Sequence, residues 1–385
     1  MEKTNIFKRL TIINSIIFIA FMPVSSAYSV IKKPTSKTVI IKKPIVKKVI
    51  TKPLPKPSSL PITGPISAVS PISIPDTSSI QILPNSWPLD KTAPKNIMSI
   101  ADQSVRKFID AAENKDTQFT LLVGPTTNKE RAKEYTELLN KSINFWNIYW
   151  KPSQEVIVAI AEVQDYKWIS SIWPKYGLSG GGFDSSELSW SARGVYCNQG
   201  GAISSIQPFF WGCMPSYGTF NHIGLKKFIP HEYTHIVQQK IMEGNTGLPI
   251  IITEGSADFY GMSLAIDSSM IENSWDTYFK TGFISTEAKN YLKNASVSDI
   301  EILVLKSLNG DNVLVNSHWY YTGAYITARL VAAKGNDTFI NFVKDFKMSK
   351  DINKSLESFY QINIQDFAKL VAPEIKLKSN QLIFD

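Results

Sequence analysis

His231-Glu232-Tyr233-Thr234-His235 places two of the chain's four histidines within five residues. On an α-helix, residues i and i+4 stand one above the other, so both imidazoles reach one metal ion. Glu232, one step round the helix, stands beside that ion. Two nitrogen ligands and a carboxylate able to take a proton from a metal-acidified water are the parts that zinc-dependent peptide hydrolysis needs. The plain alternative is two unrelated histidines on a helix surface, and five residues alone do not separate the two.

A catalytic zinc ion takes three protein ligands and keeps one position open. The helix carrying His231 is predicted to start near Phe228, because Pro230 is tolerated in a first turn, and to run to about Met242, with Gly244 as its stop. A second helical run follows: Ile250-Ile251-Ile252-Thr253-Glu254-Gly255-Ser256-Ala257-Asp258-Phe259-Tyr260. Glu254 lies 19 residues beyond His235. That separation fits a helix end, a turn and an antiparallel helix whose first turn returns to the metal. Asp258, at i+4 from Glu254, projects from the same face and can accept from the free ring nitrogen of a ligand histidine, fixing its tautomer. Taken singly, Glu254 reads as a helix-start acid favoured by the dipole and Asp258 as a surface charge. Together with the two histidines they form a specific set.

That set resembles the gluzincin peptidases, the thermolysin-like group, in which HExxH is followed some twenty residues later by a glutamate ligand in a Glu-Gly-x-Ala-Asp/Glu helix. His231, Glu232, His235 and Glu254 match residue by residue, over a similarity that covers roughly residues 220–370. The HEYxH form is also similar to that of bacterial collagenases. The resemblance implies an α+β fold, with a small sheet-bearing N-terminal lobe, a helical C-terminal lobe and the zinc site on the helix between them. It further implies one catalytic zinc ion, with Glu232 as general base. Many gluzincins carry a tyrosine three residues before a glycine on a helix facing the zinc, and Tyr320 has that spacing from Gly323. Tyr321 and His318 compete for the role, and core packing within a helix from Trp319 to Ala333 is the alternative for Tyr320.

The elements that must position these residues begin late. Met1 to Arg9 carries Lys3, Lys8 and Arg9, an apolar run from Leu10 to Val24 follows, and then Ser25-Ser26-Ala27. This is the layout of a secretory signal peptide over 1–27, with an uncleaved signal anchor as the alternative. Residues 28–95 form a Lys/Pro-rich stalk: Ile31-Lys32-Lys33-Pro34 recurs as Ile41-Lys42-Lys43-Pro44, and twelve of the 21 prolines fall between Pro34 and Pro94. Such a stretch stays extended and unpacked. Residues 1–58 hold twelve of the 41 basic side chains and one of the 33 acids, so the excess of +8 belongs to the tail. The rest is slightly acidic, which argues against nucleic acid. The stalk reads as a solvated spacer, or as a contact to an anionic cell wall or membrane surface. The expected location is secreted or cell-surface, and the expected partner a peptide or protein substrate. A catalytically inactive, peptidase-like surface binding protein is the rival reading.

Residues 96–220 are expected to form an α/β lobe. A helix over Ile97–Ala112, a strand over Gln118–Val123, a helix opened by the Thr127–Glu130 capping box and a strand over Glu155–Val163 make two helix-then-strand units. The glycine-rich stretch from Gly177 to Phe220 reads as loops with two or three antiparallel strands, one of them an edge strand along the cleft. Phe209, Phe210 and Trp211 read as core packing or as a pocket lining. Cys197 and Cys213, the only cysteines, are too few for a structural zinc site and read as one disulfide or two buried thiols. Residues 221–385 hold the zinc-binding helices and the helical C-terminal lobe, which ends in helices near Asp337–Phe346, Lys350–Tyr360 and Ile364–Leu370.

Overall fold

The computed structural model describes residues 97–112, 119–162, 199–203, 208–214, 222–243, 247–281, 286–311 and 318–383, with isolated positions between 165 and 172. The expected signal peptide and stalk, Cys197 with the disulfide it would form, and the side chains of Phe209, Phe210 and Trp211 lie outside the described residues.

Helix α1 (Ile97–Ala111) precedes strand β1 (Phe119–Val123), helix α2 (Lys129–Trp146) and strand β2 (Val156–Glu162). Strands β3 (Gln199–Ile203) and β4 (Phe209–Met214) complete a four-stranded sheet in the order β1-β2-β4-β3. β1, β2 and β4 run parallel, and β3 pairs antiparallel with β4 at the edge. All seven residues of β2 are buried. That is why Val156-Ile157-Val158-Ala159-Ile160-Ala161 is an unbroken apolar run rather than an alternating one. The glycine-rich region was expected to supply only antiparallel strands; β4 instead lies parallel to β2, because the long connection from 163 to 208 lets the chain return in the same direction.

Eleven α-helices are described, and nine follow the sheet: α3 (His222–Ile241), α4 (Ile250–Ala265), α5 (Ile271–Thr281), α6 (Thr286–Asn294), α7 (Val297–Leu308), α8 (His318–Lys334), α9 (Asn336–Ser349), α10 (Ile352–Tyr360) and α11 (Ile364–Ile383). The molecule is thus mostly helical with a small sheet, an α+β arrangement. One hydrophobic cluster runs from α1 and β2 through α3, α4 and α8 to α11. At its centre α4 is packed on α3 along one side and on α8 along the other. It is buried on nearly every face, and most of its residues are apolar, as in a core helix; Glu254 and Asp258 are its only charged residues.

Three boundaries depart from the sequence expectation. The capping box does not form at α2. Asn128 is the cap, its side chain accepting from the amides of Glu130 and Arg131 at 2.9 and 3.2 Å, because the amide of Thr127 is already turned back onto the carbonyl of Gly124. Helix α3 starts at His222, so Pro230 stands in its interior rather than its first turn. The ring removes one backbone bond to the carbonyl four residues earlier. Burial of Ile229, Tyr233, Ile236 and Val237 on this helix offsets that loss. Helix α11 continues past Leu370 through Pro373 for the same reason: Val371, Ala372 and Ile375 are fully buried.

Candidate metal centre

The two helices that carry the candidate ligands meet where a side chain would be in the way. A methyl group on Gly261 of α4 would lie 3.0 Å from the carbonyl oxygen of Lys227 and 3.2 Å from Cβ of His231 on α3. The absence of that methyl lets α4 approach α3 along the histidine face. Nearly two turns earlier on α4, Glu254 reaches the same place; it stands in the second turn of α4, not the first, because the helix already starts at Ile250.

Three donor atoms converge there. Nε2 of His231 and Nε2 of His235 are 3.1 Å apart, and Oε2 of Glu254 lies 3.6 Å from the first and 3.4 Å from the second. Ligands 2.0–2.1 Å from a tetrahedral zinc ion stand about 3.3 Å from one another. The triangle therefore has the size of one face of that tetrahedron, and it is the only group of three or more such ligands among the described residues. Oε2 of Glu254 is buried and has no hydrogen-bond donor in good geometry. A buried carboxylate oxygen left so is costly unless a cation completes it.

The far side of each ring is also engaged. Nδ1 of His231 is 2.7 Å from Oδ1 of Asp258, and Nδ1 of His235 is 2.8 Å from Oε1 of Gln238. Oε1 of Gln238 can only accept, so the neutral form of the His235 ring carries its proton on Nδ1 and turns the lone pair of Nε2 towards the shared centre. The Asp258 carboxylate faces Nδ1 of His231 at ion-pair distance, outside hydrogen-bond geometry. Asp258 is fully buried and also holds the ammonium of Lys227, one turn before His231 on α3. Burial pushes the Asp258 carboxyl up, but Lys227 and the bond from His231 outweigh it and hold the carboxyl below the usual range.

The electrostatics favour a positive charge at the centre. Burial pulls the His235 imidazole down, yet the carboxylates of Glu254 and Glu232 and the Gln238 contact bring it to about 9. Burial likewise pushes Glu254 up, and the two imidazoles more than reverse it. Glu232 differs. It is buried, burial raises its carboxyl, and the nearby imidazoles offset only part of the rise.

Of the three candidates on α8, Tyr320 alone faces the centre. Its ring lies 6.3 Å from that of His231, tilted by 35°. Its hydroxyl is held well above the usual range by burial and then by Glu254, Asp258 and Glu232, so it stays protonated and able to donate. Tyr321 points to α11, where Ser379 donates to its hydroxyl at 3.4 Å. His318 is fully buried beside Thr322 at 2.9 Å and Ser307 at 3.3 Å, and burial pulls its imidazole down to about 3. It is a neutral core histidine.

No protein-family model matches this chain, and neither a curated protein nor a solved structure does. What the site can do therefore rests on its own geometry. Two of its members, Lys227 and Gln238, were not singled out in the sequence. Their signal was faint: Lys227 is one of an adjacent lysine pair, and Gln238 is followed by a second glutamine.

Proposed function

We propose that this chain is a secreted or surface-tethered zinc metallopeptidase of the gluzincin type, with zinc held by His231, His235 and Glu254. The observation that carries the reading is the 3.1–3.6 Å triangle of donor atoms, with each imidazole oriented from behind by an acceptor. Bound there, zinc supplies Lewis acidity to a scissile carbonyl and to the attacking water. Glu232 would take the proton from the attacking water and pass it to the leaving amine. Tyr320 donates to the oxygen on which negative charge develops. β3 is one of the two edge strands and the one that neighbours α3, so an extended peptide can lie along it as an added strand. No described helix is long and apolar enough to cross a membrane.

The full chain is expected to copurify with, or take up, one zinc ion, and to cleave a mixed peptide pool in a chelator-sensitive way. Stoichiometric zinc without cleavage of any peptide would favour the inactive binding protein. No zinc uptake at all would remove the site. Replacing Tyr320 by Phe removes a single hydroxyl, so its effect should fall on turnover: kcat down by about 10²–10³-fold, with KM and zinc content close to the parent's. An equal rise in KM with unchanged kcat would assign Tyr320 to substrate binding instead.

A further inference from the structure

We propose that Gln238 is a positioning residue that sets the ring state of His235 and ties that ligand to the helix carrying Glu254. The inference rests on the zinc site proposed above. Gln238 is buried on α3, three residues after His235. Its amide nitrogen donates to the backbone carbonyl of Thr253 at 2.9 Å and to the hydroxyl of Ser256 at 2.8 Å. Thr253 and Ser256 flank Glu254 on α4. Ser256 in turn donates to the carbonyl of Ile252 at 2.7 Å, which leaves its oxygen free to accept from Gln238.

These contacts form a chain of forced choices. A backbone carbonyl can only accept, so the amide group of Gln238, not its oxygen, must face Thr253. A flipped side chain would set two lone pairs against each other. With the amide group there, Oε1 must face Nδ1 of His235, and because that oxygen can only accept, Nδ1 carries the proton. The Nε2 lone pair is then turned towards the other two ligands. The orientation of one peptide carbonyl on α4 thus determines which nitrogen of His235 is available on α3.

Only an amide of this length meets the requirement. Methionine fills the space but cannot donate and accepts only weakly; asparagine is one methylene short; glutamate would present an oxygen to the Thr253 carbonyl. His231 is oriented differently, by the carboxylate of Asp258 with Lys227 beside it, which links α3 to α4 through charge. Behind His235 the orienting contacts are neutral hydrogen bonds through Gln238. Both ligands on α3 are therefore fastened to the helix that brings the third.

The test is zinc affinity of the full chain, read by competition with a chromophoric chelator well below the melting temperature, for the parent, Gln238→Met and Ser256→Ala. Loss of such an orienting partner weakens metal binding by about 10–100-fold, and that is the drop expected for Gln238→Met. Ser256→Ala keeps the Thr253 bond and should lose only a few-fold. A merely structural glutamine would lower the melting temperature of the metal-free protein and leave the affinity as it was, and that result overturns the proposal. Should Gln238→Met fail to fold, Gln238→Asn, one methylene too short to hold both helices, takes its place, and unchanged zinc affinity there overturns the proposal. A parent chain that binds no zinc defeats the metallopeptidase reading itself, an outcome distinct from a parent and a Gln238→Met variant that bind it equally well.

Discussion

Glu232→Gln is expected to bind one zinc ion with the parent's affinity and to hydrolyse peptide about 10²–10⁴-fold more slowly, the usual worth of a positioned general base. The three converging donor atoms belong to other side chains, so the substitution leaves the ligand triangle intact. The amide has the carboxylate's shape and cannot take a proton at neutral pH. The structure also separates this loss from any loss of stability. Burial raises the Glu232 carboxyl above its ordinary value, which means the folded protein disfavours the ionised form. A group of that kind costs stability once the pH exceeds its unfolded pKa, and a neutral amide removes the cost. The melting temperature of the metal-free variant should be equal to the parent's or higher. Activity lost together with stability, or zinc lost with activity, would show that Glu232 acts through structure; activity retained would mean that another group is the base.

Most of this site could be read in the sequence because helical geometry alone aligns it. His231 and His235, and Glu254 and Asp258, are i,i+4 pairs, and a helix places each pair on one face whatever surrounds it. The residues that escaped notice depend on neighbours far along the chain. Lys226 and Lys227 are chemically identical in the sequence, yet Lys226 reaches Glu134 on α2 at 2.9 Å while Lys227 is buried against Asp258 on α4. Gln238 acquires its importance only when the backbone of Thr253 lies beside it. Helices α5, α6 and α7 have no counterpart in the sequence expectation. In α5 and α6 polar residues outnumber apolar ones, and the burial of Trp275 and Leu292 comes from packing against other helices; α7 is mostly apolar and opens with a Ser296–Asp299 capping box that is legible in the sequence. Pro230 misled for the opposite cause, since a local rule about helix starts gave way to tertiary burial.

The same long-range packing yields the largest expected effect on stability, at Gly255. An added methyl group there would lie 2.1 Å from the carbonyl carbon and 2.4 Å from both Cα and the carbonyl oxygen of Gly323, and a methyl on Gly323 would lie 2.1 Å from the carbonyl oxygen of Ile251. The backbones of α4 and α8 are in direct contact at this crossing. Alanine is the better helix former by about 1 kcal/mol, so local propensity favours Gly255→Ala. The overlap is with backbone, which has no rotamer to move to, so the helices must part by about 1.3 Å to reach ordinary contact. Overpacking of this kind costs about 1–3 kcal/mol or more and outweighs the gain. Melting is expected to fall by about 5 °C. The site should suffer as well, because Glu254 precedes Gly255 and Tyr320 lies one turn before Gly323: parting the helices withdraws the third ligand and the hydroxyl donor together. Gly310→Ala is the control. Its φ of +78° makes alanine strained, but nothing lies within 4 Å, so it should cost stability and leave zinc affinity unchanged. Equal zinc affinity in Gly255→Ala and the parent would mean that the α4–α8 crossing does not set the geometry of the metal centre.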